Sequence, residues 1–105
     1  MKSINNKNEF DNLINQSNPI LLDFYADWCG PCQTLLPTVD KLSKEFEGSV
    51  EIRKVNVDEN KELAAQFQIR SIPALFFIKD NQIVDKVSGL AAEGTLRSKL
   101  NDLVN

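Results

Sequence analysis

Cys29 and Cys32 are the only cysteines in a chain of 105 residues. They stand in the run Trp28-Cys29-Gly30-Pro31-Cys32, after the apolar block Ile20 to Ala26 and before a stretch with helical periodicity. Residues spaced i, i+3 at a helix start are neighbours, about 5–6 Å apart at Cβ. A disulfide needs its Cα atoms roughly 4.4–6.8 Å apart, so the pair can close and reopen without unfolding its surroundings. A permanent staple around so short a loop would restrain little of the unfolded chain. One C-x-x-C also supplies only half the ligands of a closed zinc site, which would then need a dimer. The spacing favours reversible thiol–disulfide exchange.

Histidine is absent, which removes Cys-His nucleophilic pairs, Ser-His-Asp catalysis and His-ligated metals. Proton transfer at the cysteines must therefore come from a carboxylate, a lysine or water. Cys29 lies where a strand passes into a helix; free N–H groups and the helix dipole there favour a thiolate, marking it as the attacking sulfur. Cys32, one turn further in, is expected to be the more buried, resolving partner. Asp23 interrupts an apolar strand, where an unpaired charge is costly and the acid titrates upward. It is the candidate general acid and base for Cys32, directly or through one water. Lys54 shares strand parity with Val50 and Ile52, which leaves two placements open: inward beside Asp23, or snorkelling out at a strand end.

These residues need a frame to hold them. Phe10, Leu13 and Ile14 suggest a short first helix ending near Ser17-Asn18-Pro19. Ile20 to Ala26 reads as a central strand buried on both faces. Leu35, Leu36, Val39, Leu42 and Phe46 fall at helical spacing, with Pro31 near the start, Pro37 inside at an expected kink and Gly48 as the stop. Residues 50–57 read as a strand, Leu63, Ala64 and Phe67 as a short helix, and residues 74–78 as a third apolar strand. Lys79-Asp80-Asn81-Gln82 is a turn into Ile83, Val84 and Val87, a hairpin partner. Leu96, Leu100, Leu103 and Val104 give a last amphipathic helix. The order β-α-β-α-β-β-α, with Met1 to Ile4 as an abbreviated edge strand, predicts an α/β fold: a mixed sheet with helices on both faces.

Totals narrow the function. A net charge of −3, from 12 Lys+Arg against 15 Asp+Glu, argues against nucleic-acid or anionic-membrane binding. No stretch approaches the roughly 20 apolar residues of a membrane span, and Met1 to Lys7 lacks a signal-peptide core. A cytoplasmic location is the expectation, where a lone cysteine pair is commonly catalytic. One domain over residues 1–105 is expected, acting as a monomer.

The run Asp23-Phe24-Tyr25-Ala26-Asp27-Trp28-Cys29-Gly30-Pro31-Cys32 resembles the active-site signature of the thioredoxin family. Pro37 matches the kink of that family's second helix, Val55-Asn56-Val57-Asp58 the end of its third strand, Arg70-Ser71-Ile72-Pro73-Ala74 its cis-proline loop, and Gly89 its late glycine. The resemblance spans nearly the whole chain in order. It implies the thioredoxin fold and a general protein-disulfide reductase that maintains cell redox homeostasis. It also implies disulfide-containing client proteins, re-reduction by an NADPH-dependent thioredoxin reductase, and no cofactor on the chain itself. A cis Pro73 beside the cysteines is implied, with the Ile72 backbone open to strand addition by a substrate. So is a lysine partner for Asp23, the place of Lys54. Trp28, Gly30, Pro31, Gly89 and Leu90 would form a flat apolar apron around Cys29, although a buried core position is the other reading of Trp28. Gly30-Pro31 between the cysteines resembles the reductants rather than the oxidants. Two departures stand out: Gln33 replaces a common basic residue, and Tyr25 a common tryptophan.

Overall fold

A computed structural model of the chain describes residues 1–105. The elements are β1 (Lys2–Ser3), α1 (Lys7–Ile14), β2 (Ile20–Tyr25), α2 (Gly30–Glu45), β3 (Glu51–Asn56), α3 (Lys61–Gln66), β4 (Ala74–Lys79), β5 (Gln82–Ser88) and α4 (Glu93–Val104). The strands form one sheet in the order β1-β3-β2-β4-β5. β1 and β2 run parallel to β3, whereas β4 is antiparallel to both β2 and β5. This is the mixed, doubly covered sheet anticipated from the alternation of elements.

All six residues of β2 are buried, as its unbroken apolar character requires of a central strand. Its side chains alternate between two cores. Leu21 packs with Leu35, Val39 and Leu42 of α2 and Leu96, Leu100 and Leu103 of α4. Leu22 and Phe24 turn the other way, toward Phe10 of α1 and Leu63 of α3. By the two-residue period of a strand, Asp23 shares the face of Leu21.

Local chemistry sets the element ends. Asn6 caps α1 by accepting the Glu9 N–H at 2.9 Å. α2 runs through Pro37 and gives way at Phe46 to a loop in which Gly48 adopts φ +86°, a left-handed conformation that costs glycine little. Asp80 and Asn81, both at positive φ, form the two-residue connection between the paired Lys79 and Gln82, the primed turn that suits strand twist. The predicted 50–57 strand is shorter at both ends; Val50 donates its N–H to the Phe46 carbonyl, closing the helix-to-strand corner instead.

Candidate active site

Cys29 is the N-cap of α2, with extended backbone (φ −91°, ψ 107°), and its Sγ accepts the Cys32 N–H at 3.2 Å. An N-cap sulfur holding an otherwise orphaned helix donor is where negative charge is best tolerated. Pro31 occupies the first turn of α2, where its missing N–H goes unneeded. The two cysteines are joined as a disulfide with Cα atoms 5.2 Å apart. Cys32 is 1% exposed and Cys29 5%, the order expected for a resolving and an attacking sulfur. Both pack with Tyr25 and Ala26, and against Leu36, Val57 and Ile72. The flanking Gly30 and Pro31 are exposed, and beyond its chain neighbours and its own helix backbone nothing stands within 4 Å of where a Cβ on Gly30 would project.

The loop before β4 meets this sulfur. The Ile72–Pro73 peptide is cis, and Cys29 Sγ lies 3.8 Å from the Ile72 carbonyl oxygen. Ile72 takes part in no backbone–backbone hydrogen bond, so its N–H and C=O are open to an added strand. Gly89, at φ +82°, donates its N–H to the Pro73 carbonyl at 2.9 Å, which ties the 89–90 corner to the proline loop. Leu90 there is 60% exposed and Trp28 72% exposed. Trp28 is therefore a surface ring, and the core alternative for it falls away. Its Nε1 donates to Asp58 Oδ2 at 2.8 Å.

Asp23 is 1% exposed, and neither carboxylate oxygen has a hydrogen-bond partner. Burial pushes its pKa up to about 7, with the Lys54 charge pulling the other way. Lys54 is the register neighbour of Asp23 across the β2–β3 pairing, so strand parity placed it on the right face. The direct lysine–carboxylate bond implied by the resemblance is not made: the ammonium stands 5.7 Å from the centre of the Tyr25 ring. Lys54 thus reaches toward Tyr25, two residues beyond Asp23 on β2.

Two residues that the sequence reading named only in the third-strand motif, with no site role, belong to the site. Asp58 holds the Trp28 indole, and Asn56 shapes the Asp58 loop by accepting the Asp58 and Glu59 N–H groups at 2.9 and 3.3 Å. An asparagine accepting from the second following N–H is a local turn signal that was available in Asn56-Val57-Asp58. The 30-residue reach from Trp28 to Asp58 carries no such signal.

Chemistry here is confined to sulfur: one S–S bond opens and closes with two electrons, which is the work of a thiol–disulfide oxidoreductase. A family model described as Thioredoxin matches residues 1–102. The thioredoxin of Pyropia yezoensis is 43% identical over 93 residues, 89% of this chain and 87% of that protein. That of Haemophilus influenzae is 46% identical over 89 residues, 85% and 83% of the two chains. The crystal structure of Fasciola hepatica thioredoxin superposes with a TM-score of 0.89 at 39% identity, covering 98% of this chain and 99% of the other. The chain belongs to the thioredoxin family.

Proposed function

We propose that the chain acts as a general protein-disulfide reductase in which Cys29 attacks, Cys32 resolves and Asp23 handles the proton. The observation that carries this is the Cys29 sulfur at the N-cap of α2, bonded to the Cys32 N–H and backed by the Cys32 sulfur. In the reduced protein the Cys29 thiolate attacks one sulfur of a client disulfide. A Cys29–client bond forms, the client S–S bond breaks, and the departing client sulfur takes a proton from solvent. Cys32 then loses its proton to the Asp23 carboxylate and attacks Cys29 Sγ. The second client thiolate leaves, and the disulfide seen here remains. Two electrons have passed to the client.

Client segments dock along the free Ile72 backbone by strand addition, beside the apron of Trp28, Gly30, Pro31, Pro73, Gly89 and Leu90. Regeneration requires two electrons from a dithiol donor, the role of an NADPH-dependent thioredoxin reductase. We place the reaction in the cytoplasm, where such a pair is kept reduced, and the working unit as a monomer. Insulin reduction driven by dithiothreitol tests the assignment. Wild type accelerates it, Cys29→Ser abolishes the acceleration, and Cys32→Ser accumulates a mixed disulfide through Cys29. Full activity in Cys29→Ser, or trapping only through Cys32, would overturn the roles. Equilibration with glutathione then separates reductant from oxidant: a reductant's dithiol passes its two electrons to glutathione disulfide and ends oxidised, whereas an oxidant's disulfide takes two electrons from glutathione and ends reduced.

A further inference from the structure

Lys54 and Asp23 are cross-strand register partners, with strand axes about 4.8 Å apart. A lysine stem spans such a gap with ease, and a buried carboxylate with no hydrogen-bond partner is a strong attractor. The ammonium nonetheless sits over the face of Tyr25, 5.7 Å from its centroid, within the range where a ring quadrupole holds a cation. Tyr25 is two residues beyond Asp23 on the same strand and face, and is itself buried. We propose that Tyr25 is a positioning residue that holds the Lys54 ammonium above its ring and off Asp23, leaving the acid unpaired. The proposal rests on the reading of Asp23 as the proton-handling group and extends it to the residue that keeps that group free.

The surroundings leave Lys54 as the charge that matters to Asp23. β4 places Leu75 opposite it. The core on this face, from α2 and α4, is aliphatic, with Cys32 the titratable group α2 contributes in the neighbouring cluster. Tyr25 lies in the fields of Asp27, Glu59 and Asp23. An ion pair formed at Asp23 would lower the acid's pKa by about 1–3 units, out of the neutral range in which Cys32 needs a proton acceptor and donor in turn.

The test uses the full chain in its oxidised form, where the cysteines do not titrate, with the Asp23 carboxyl followed by carbon NMR. In Tyr25→Leu the Asp23 midpoint should fall by about one unit or more, whereas Tyr25→Phe, which keeps the ring face, leaves it in place. In a Lys54→Met background Tyr25→Leu should produce no such fall. An unchanged midpoint in Tyr25→Leu, or the same fall without Lys54, overturns the proposal. If Tyr25→Leu does not fold, wild type decides: the Lys54 ε-methylene protons should be shifted upfield by the ring current, and ordinary shifts sink the idea. These readouts do not depend on turnover. A pH profile of insulin reduction that ignores the Asp23 midpoint would refute the acid's catalytic role while leaving Tyr25's hold on Lys54 measurable.

Discussion

Asp23 and Phe24 are chain neighbours on β2, and they face opposite worlds. On the side of α1 and α3, Phe24 closes an aromatic cluster with Phe67 at 5.1 Å and Phe76 at 5.5 Å, while Phe10 meets Phe67 at 5.5 Å. Two of these contacts are edge-on, the geometry aromatic quadrupoles favour, and ten buried apolar side chains share this core. On the side of α2 and α4 the same strand buries a carboxylate with no partner. One face of the sheet buries aromatic rings, and the other bears the burial cost of a carboxylate, the group proposed above to take the proton of Cys32. The lesson is that a single strand serves both ends because its side chains alternate.

Substitutions at these two positions should have opposite signs, which is the sharpest way to break the comparison. Phe24→Ala, in the aromatic core, should cost about 3–5 kcal/mol in denaturant unfolding while leaving the Asp23 midpoint where it was. A loss below about 1 kcal/mol would mean that the aromatic face does not carry the fold. Asp23→Ala should instead stabilise the protein at pH 8 by about 2–4 kcal/mol, the burial penalty of the carboxylate less a small cavity. Because the folded pKa is raised from 3.8 to about 7, wild-type stability from this group is full below about pH 4 and is lost as pH rises through 7. The gap between Asp23→Ala and wild type should therefore widen from pH 4 to about 8 and stay level above, while below pH 4 only the small cavity cost remains, against the variant. Resolution of the mixed disulfide should slow in the same variant; an equal gap between the two proteins at pH 5 and 8 would show that Asp23 is not titrating inside the fold.

A smaller effect is expected from Lys54→Met. Removing the charge that lowers the Asp23 pKa should raise its midpoint above 7, by up to about one unit, as followed by carbon NMR; a fall would reverse the electrostatics described here. Least of all, Asp58→Ala releases the Trp28 indole and should raise the apparent KM for a client disulfide about two- to fivefold with kcat unaltered. The sole tryptophan reports this directly, and an unchanged emission spectrum would mean the indole was not held by Asp58.

Much of the molecule was readable along the chain because its signals are short. The i, i+3 cysteines, the apolar run of β2, the Asp80-Asn81 turn and the Gly48 stop each depend on a few consecutive residues and on backbone preferences those residues impose. The parity of Lys54 even placed it on the correct face. The direction of its long side chain was another matter, since Asp23 and Tyr25 both lay in reach and the choice depends on the field of the assembled site. Contacts between distant loops had no local signal: the Gly89–Pro73 and Cys29–Ile72 neighbourhoods were anticipated through the family resemblance alone, and Trp28 to Asp58 not at all. From its residues alone the chain declared a dithiol at a helix start and a sheet to carry it. Tertiary structure decided what surrounds that dithiol, because burial, register across strands and competition among charges exist only once separate segments are packed together.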